Sequence, residues 1–284
     1  GAVQMADDRN RTFDDYSPDD HERVRQTCLH LATVLGALID ELTIVGGLVP
    51  SLLVPDRAEV GFEPHRGTMD LDLGLSVAVL AEDLYATIAA QLRAAGFAVD
   101  VNKKGNTTFY RWRTPPGTPK VTVDFLIAEE ALTTQQRVAK FDDDFGALAT
   151  RGLQLAWRDR RKVTLDGYTL HGMRAIRDVW ICGPGAFVML KSRAMQGREK
   201  FKDAYDLYYL LKYYGTGLAD IAAAIIPLLD DPDAREAIQW LARNFADADC
   251  LGPRRISLFR YGHEEADLEA DALGMVQALL RLLA

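Results

Sequence analysis

Cysteine is scarce in this chain of 284 residues: Cys28, Cys182 and Cys250 are the whole complement. They are odd in number, far apart and form no CxxC pair, which excludes a zinc ribbon and a disulfide framework. Cys28 falls in an apolar helical stripe and reads as a small core residue. The compartment expected from this usage is a reducing cytoplasm. Long apolar runs are lacking as well. None approaches the ~20 residues that span a bilayer, so no membrane partner is expected. The N-terminus is acidic and polar rather than an apolar leader, and residues 1–4, ahead of Met5, read as a cloning scar. A surplus of positive charge is also lacking. The net charge of −8 argues against nucleic-acid binding over the whole surface. Local basic strips remain, one at Arg158, Arg160, Arg161 and Lys162 and one at Lys103, Lys104, Arg111 and Arg113. Solvated strand ends are the plainer reading of both. There is no internal repeat and no low-complexity tract.

What is present is ordinary globular material, with 48% hydrophobic and 26% charged residues. Residues 6–20 are acidic, sparse in apolar groups and expected to be a mobile arm. Ser17-Pro18-Asp19-Asp20 is a helix start: hydroxyl N-cap, Pro at N1, acids in the first turn. Val24, Cys28, Leu31, Leu35 and Leu38 then define one buried helix face. Strands are predicted at residues 43–45, 69–75, 97–101, 107–113, 120–128, 153–157 and 168–171, with a hairpin around Pro115-Pro116-Gly117 and a helix over 82–95. From about Gly185 the pattern is helical to the end, over 185–195, 201–214, 217–229, 233–246 and 264–283. The fold class read from this is α+β: a mixed sheet flanked by helices over residues 17–175, then an α-helical domain over 176–284, with 1–16 as scar and arm.

The chemistry concentrates between residues 44 and 75. Gly46-Gly47 follows a strand and precedes the helix-like residues 48–53, a junction whose backbone N–H groups suit an anion. The Walker Lys-Ser/Thr and the dinucleotide glycine spacing are both absent. Met69-Asp70-Leu71-Asp72-Leu73 places Asp70 and Asp72 on one face of a strand and leucines on the other. Two carboxylates so placed repel unless a positive group sits between them, and a divalent metal carrying a phosphate is the natural one. Val121-Thr122-Val123-Asp124-Phe125 is a β-type run with a single acid at its centre, costly to bury alone. If it lies beside the first strand, Asp70, Asp72 and Asp124 converge as metal ligands, and Asp124 completes a second metal and helps deprotonate an acceptor hydroxyl. Thr68 would face the same side as Asp70 with its hydroxyl able to touch a phosphate, and Arg66 would reach a triphosphate. His65 reads as a loop histidine without a role.

Gly46-Gly47, a spacer, and His65-Arg66-Gly67-Thr68-Met69-Asp70-Leu71-Asp72 resemble the signature of the nucleotidyltransferase superfamily with the polymerase-beta-like core. The His-Arg-x-Ser/Thr-x-Asp-x-Asp form is similar, more narrowly, to the AbiEii type, the toxins of type IV toxin–antitoxin and abortive-infection systems, which include the MenT toxins. That family carries a second signature in its helical part, matched here by Lys191, Arg198 and Lys202-Asp203-Ala204-Tyr205-Asp206-Leu207. The match spans roughly residues 44 to 211. It implies Lys191 as positive charge for the departing pyrophosphate, Arg198 as a nucleotide contact and Asp206 as a group orienting a base or touching nucleotide. Fifteen residues of straight helix span about 22 Å, so Lys191 and Asp206 share a site only if the chain bends, and Gln196-Gly197 is the expected break. Asp203 reads as a surface charge.

The resemblance implies a transferase that uses Mg2+ (or Mn2+) and moves a nucleotidyl group from an NTP to an acceptor hydroxyl. It also implies a tRNA 3′ end as acceptor, toxicity to a bacterial host and a cognate antitoxin. A protein or small-molecule hydroxyl, or a non-catalytic nucleotide-binding protein on the same fold, are the alternatives left by the residues alone.

Overall fold

The computed structural model describes residues 11–55, 61–133 and 136–284. The scar and the start of the acidic arm lie outside the described residues. Among the described residues the fold is α+β, with one mixed open sheet of nine strands and eleven α-helices, most of the long ones in the C-terminal half. Contacts divide the chain into two compact units, one of Pro18–Leu52 with Gly67–Cys182, the other of Gly1–Ser17, Leu53–Arg66 and Gly183–Ala284. The described residues 53–55 and 61–66 thus belong with the helices rather than with the sheet.

The first unit holds the sheet. Its strands are β1 (Leu42–Val45), β2 (Asp70–Leu75), β3 (Ala98–Val101), β4 (Thr107–Arg113), β5 (Thr122–Ala128), β6 (Val138–Lys140), β7 (Gly146–Thr150), β8 (Arg160–Tyr168) and β9 (Arg174–Cys182). The order is β3-β4-β5-β2-β1-β9-β8, with β7 alongside the far half of β5 and β6 alongside β7. β1 runs antiparallel to β2, and β2 parallel to β5, with Asp72 opposite Asp124 and Leu73 opposite Phe125. Alternation then decides the faces. Leu71, Leu73, Val123, Phe125 and Ile127 are each at most 1% exposed and form the core, each such side chain contributing roughly 1.5–3 kcal/mol.

Helix α1 (Pro18–Leu35) starts at its proline and buries Val24, Cys28, Leu31 and Leu35 as expected. It packs on β8, β9 and β2. The expected continuation through Leu38 fails: Gly36 takes φ +54°, the helix gives way to a 3-10 turn, and Ile39 is buried instead. Two other readings need correction. Residues 155–158 form a helical turn after Gly152 (φ +82°) rather than a strand. Residues 169–171 lie in the turn of a long hairpin, β8 and β9, whose outward charged positions hid the alternation.

The second unit is helical: α6 (Pro184–Gly197), α7 (Phe201–Tyr213), α8 (Leu218–Ile225), α9 (Pro232–Asn244), α10 (Leu251–Tyr261) and α11 (Ala266–Leu283), with α10 absent from the expectations. The sheet unit carries α2 to α5 (Val49–Leu53, Ala78–Ala81, Leu84–Ala94, Leu155–Arg158), the first of them running to its boundary. The described end of the arm is packed. Phe13 and Tyr16, 7% and 3% exposed, lie against Phe259, and Phe13 also meets Tyr205 edge-on. Among the described residues no helix is long and apolar enough to cross a membrane.

Candidate functional site

In the sheet unit, Asp70 and Asp72 share one face of β2, both half-buried. Asp70 is oriented by Thr122 of the adjacent strand, whose hydroxyl donates to Asp70 Oδ1 at 2.5 Å. Asp72 lies against the Gly46 turn. Gly46 takes φ +75°, and a Cβ there would fall 2.1 Å from Asp72 Oδ2. Only glycine fits, for both its dihedral and its neighbour. The glycine pair therefore makes room for a carboxylate; Gly47 is buried in the 3-10 turn that follows.

Asp124 is in register with Asp72, which satisfies the expected juxtaposition of the two strands. Its carboxylate is engaged differently from the expectation. Arg111, directly opposite on β4, grips it with two hydrogen bonds of 2.6 Å, Nε to Oδ1 and Nη2 to Oδ2. Burial pushes the Asp124 carboxyl up, and the guanidinium opposes that shift. The hydrogen bond to Asp124 pushes the Arg111 guanidinium up, against burial, with the nearby Asp70 charge adding to it. Such a short bidentate fork is the geometry of an ionised pair. Among the described residues no three His, Cys, Asp or Glu side chains gather as a metal-binding group. Asp124 is thus anchored to Arg111, and Asp70 and Asp72 lie on the same strand face as that pair.

Thr68 is placed differently from the expected phosphate contact. Its hydroxyl donates to the Asp70 carbonyl at 3.1 Å and accepts from the Asp70 N–H at 3.3 Å, a local clasp at the start of β2.

In the helical unit the second signature is a buried ionic network. Helix α6 ends at Gly197 and α7 begins at Phe201, so the break falls where it was expected. Lys191 Nζ donates to Asp203 Oδ1 and to Asp206 Oδ2, each at 2.8 Å. Lys202 Nζ donates to Asp206 Oδ1 at 2.5 Å, and His65 Nε2 lies 2.8 Å from the same oxygen. Arg198 forks onto Asp203 at 2.6 and 2.8 Å. Asp203 and Asp206 have no exposed surface. Burial alone would raise both carboxyls, yet the Lys191 charge, with Arg198 for Asp203 and Lys202 for Asp206, holds them well below the usual range. Burial would depress Lys191, but its two aspartates push it up. Lys202, with one carboxylate to Lys191's two, is brought down to about 8 by burial.

Several expectations change here. Asp203 is a buried partner of Lys191 and Arg198 rather than a surface charge. His65 is part of the Asp206 cluster, with a side chain 1% exposed, between Tyr205 and Tyr209. Lys191 has both carboxylates on its ammonium, and the solvent-facing cation of the network is Arg198, its side chain 55% exposed. Arg66 donates its backbone N–H to the Tyr205 hydroxyl at 3.1 Å and lays its guanidinium 4.2 Å from the centre of the Phe13 ring. Two members hold places the sequence does not show: Arg111, which reads only as part of a basic strip, grips Asp124, and Lys202, which reads only as part of the second signature, is buried on Asp206. A signal for Arg111 existed, because a hairpin folded about residues 117–118 sets 111 against 124.

No protein-family model matches the chain, and a search of curated proteins returns no match.

Proposed function

We propose that this chain is a metal-dependent nucleotidyltransferase that moves a nucleotidyl group from an NTP to an acceptor hydroxyl and releases pyrophosphate. One observation carries the reading: Asp70 and Asp72, half-buried on one face of β2, beside the Gly46 turn and in register with Asp124. A bound Mg2+ or Mn2+ would supply the Lewis acidity that polarises the phosphoryl group. Asp70 and Asp72 would hold it, the first positioned by Thr122 and the second by the space at Gly46. Asp124 acts as the anchor of Arg111, a fixed cation on a face of carboxylates. The order of motifs, through Lys191, Arg198 and Asp206, supports the same chemistry by its resemblance to the AbiEii type. On that resemblance the acceptor is an RNA 3′ end, tRNA in particular, and the chain acts as a toxin held in check by an antitoxin.

The test is incubation with Mg2+, each α-labelled NTP and total bacterial RNA, alongside Asp70→Asn and Asp72→Asn. Label entering RNA with the intact chain and lost in both variants supports the proposal. Label on the protein itself redirects it to protein modification, and nucleotide binding without transfer to any acceptor overturns it.

A further inference from the structure

The β8–β9 hairpin lies at one end of the sheet, with β8 as the edge strand. Leu165, Ala175, Val179 and Ile181, at inner positions, are buried. Its outer positions carry a different chemistry. Arg160 lies over two indole rings, 4.9 Å from the centre of Trp157 and 4.0 Å from that of Trp180. Lys162, directly opposite Trp180, lies 5.4 Å from the same ring. Among the described residues neither cation is in an ion pair. At the other end Tyr168 faces Arg174 across the ladder, 5.9 Å from ring centre to guanidinium, and is 54% exposed. On the outward face Arg160, Lys162 and Arg174 stand against Asp166 and Asp178, with Arg174 paired to Asp166, a net +1 in a chain of −8. Charges on an edge strand guard against sheet-to-sheet pairing, but that purpose gives no reason for tryptophans under them.

We propose that the outward face of this hairpin docks single-stranded nucleic acid, with Arg160 and Lys162 on backbone phosphates and Tyr168 stacked on a base. Cations held over aromatic rings, next to an open aromatic face, are the combination that tracks a strand without reading its sequence. The eight steps from Arg160 to Tyr168 span about 27 Å, enough for several extended nucleotides. The surface deepens the proposed function by assigning where an RNA acceptor is gripped, and it rests on that reading for the identity of the strand.

The experiment is fluorescence anisotropy with a labelled 15-nucleotide single-stranded RNA, its 3′ end blocked, in EDTA and without NTP. The intact chain is expected to bind with a clear salt dependence. Arg160→Glu/Lys162→Glu should weaken binding at least thirtyfold and lower the salt slope by about 1.4, two phosphates on a single strand. Tyr168→Ala, at an exposed position, should weaken it about tenfold with the slope unchanged. Lys103→Glu/Lys104→Glu, an equal change of charge in the β3–β4 turn, should stay within threefold of the intact chain. No binding by the intact chain, equal loss in the β3–β4 variant, or equally tight binding of poly-glutamate overturns the proposal. Because the probe cannot accept a nucleotide, binding is read independently of transfer: binding by the intact chain with no label entering unblocked RNA in the transfer assay counts against the transferase alone, and transfer to RNA without a loss of binding in these variants counts against the surface alone.

Discussion

Replacing Asp206 by asparagine keeps the size of the side chain and removes its charge. The residue is fully buried and takes the ammonium groups of Lys191 at 2.8 Å and Lys202 at 2.5 Å, with His65 Nε2 at 2.8 Å. Lys191 keeps Asp203; Lys202, 3% exposed, loses its carboxylate. Hydrogen bonds to charged groups are worth roughly 1.5–3 kcal/mol each, and breaking a buried pair by removing one partner costs roughly 3–5 kcal/mol. Asp206→Asn should therefore lower the unfolding free energy by about 3–5 kcal/mol in equilibrium urea denaturation at pH 7. The pH dependence follows from Lys202. Its folded pKa, about 8 with Asp206 in place, lies below the ordinary lysine value; without Asp206 it falls further. A folded group that has lost its proton while the unfolded one keeps it makes stability rise with pH. The variant therefore begins to recover below pH 8, where Lys202 does not yet change the stability of the intact chain, and the gap narrows as pH rises toward 8. Adding Lys202→Met removes the stranded charge and should return a large part of the loss, since an apolar replacement of both partners is close to neutral. A loss below about 1 kcal/mol for Asp206→Asn, or a double variant no more stable than the single one, refutes the reasoning.

Gly46→Ala should lower the melting temperature and abolish transfer, because its Cβ would overlap Asp72 Oδ2 and the backbone there is at φ +75°; a normal melting curve with full activity contradicts this. Arg111→Met leaves Asp124 buried without its guanidinium, and urea unfolding should show a loss of about 3 kcal/mol, with Arg111→Met/Asp124→Leu less affected than the single change. His30 is 5% exposed, stacked on Phe97 and edge-on to His171, and burial, then the His171 charge, depresses its pKa. The unfolded imidazole takes a proton near pH 6.5 and the folded one does not until lower pH, so stability falls as pH drops below 6.5. Melting temperatures from pH 7.5 to 5.5 should fall more steeply for the intact chain than for His30→Leu.

What could be read from the chain was local. The leucine–aspartate alternation of β2, the proline start of α1 and the break at Gln196-Gly197 are each written within a few residues, and the structure has all three. What could not be read depended on partners distant in sequence. Asp203 looks like a surface charge until Lys191 is seen folding back on it from the preceding helix. His65 looks idle because its acceptor lies 141 positions away. Asp124 reads as a third metal ligand because a lone buried acid needs a positive partner; Arg111 across the hairpin is such a partner. The β8–β9 hairpin was missed because its outer face is charged, and charge in a strand reads as loop unless the buried positions between are counted.

The central claim is that the phosphorus attacked is the one carrying the nucleoside. One comparison tests it directly: matched reactions with α-labelled and γ-labelled NTP, Mg2+ and bacterial RNA, with released pyrophosphate measured in both. The account predicts α-label in the acceptor, γ-label only in pyrophosphate, one pyrophosphate for each nucleotide transferred, and loss of all three in Asp70→Asn. Transfer of the γ-label, or an acceptor that gains no label from any NTP while the protein is folded, contradicts it.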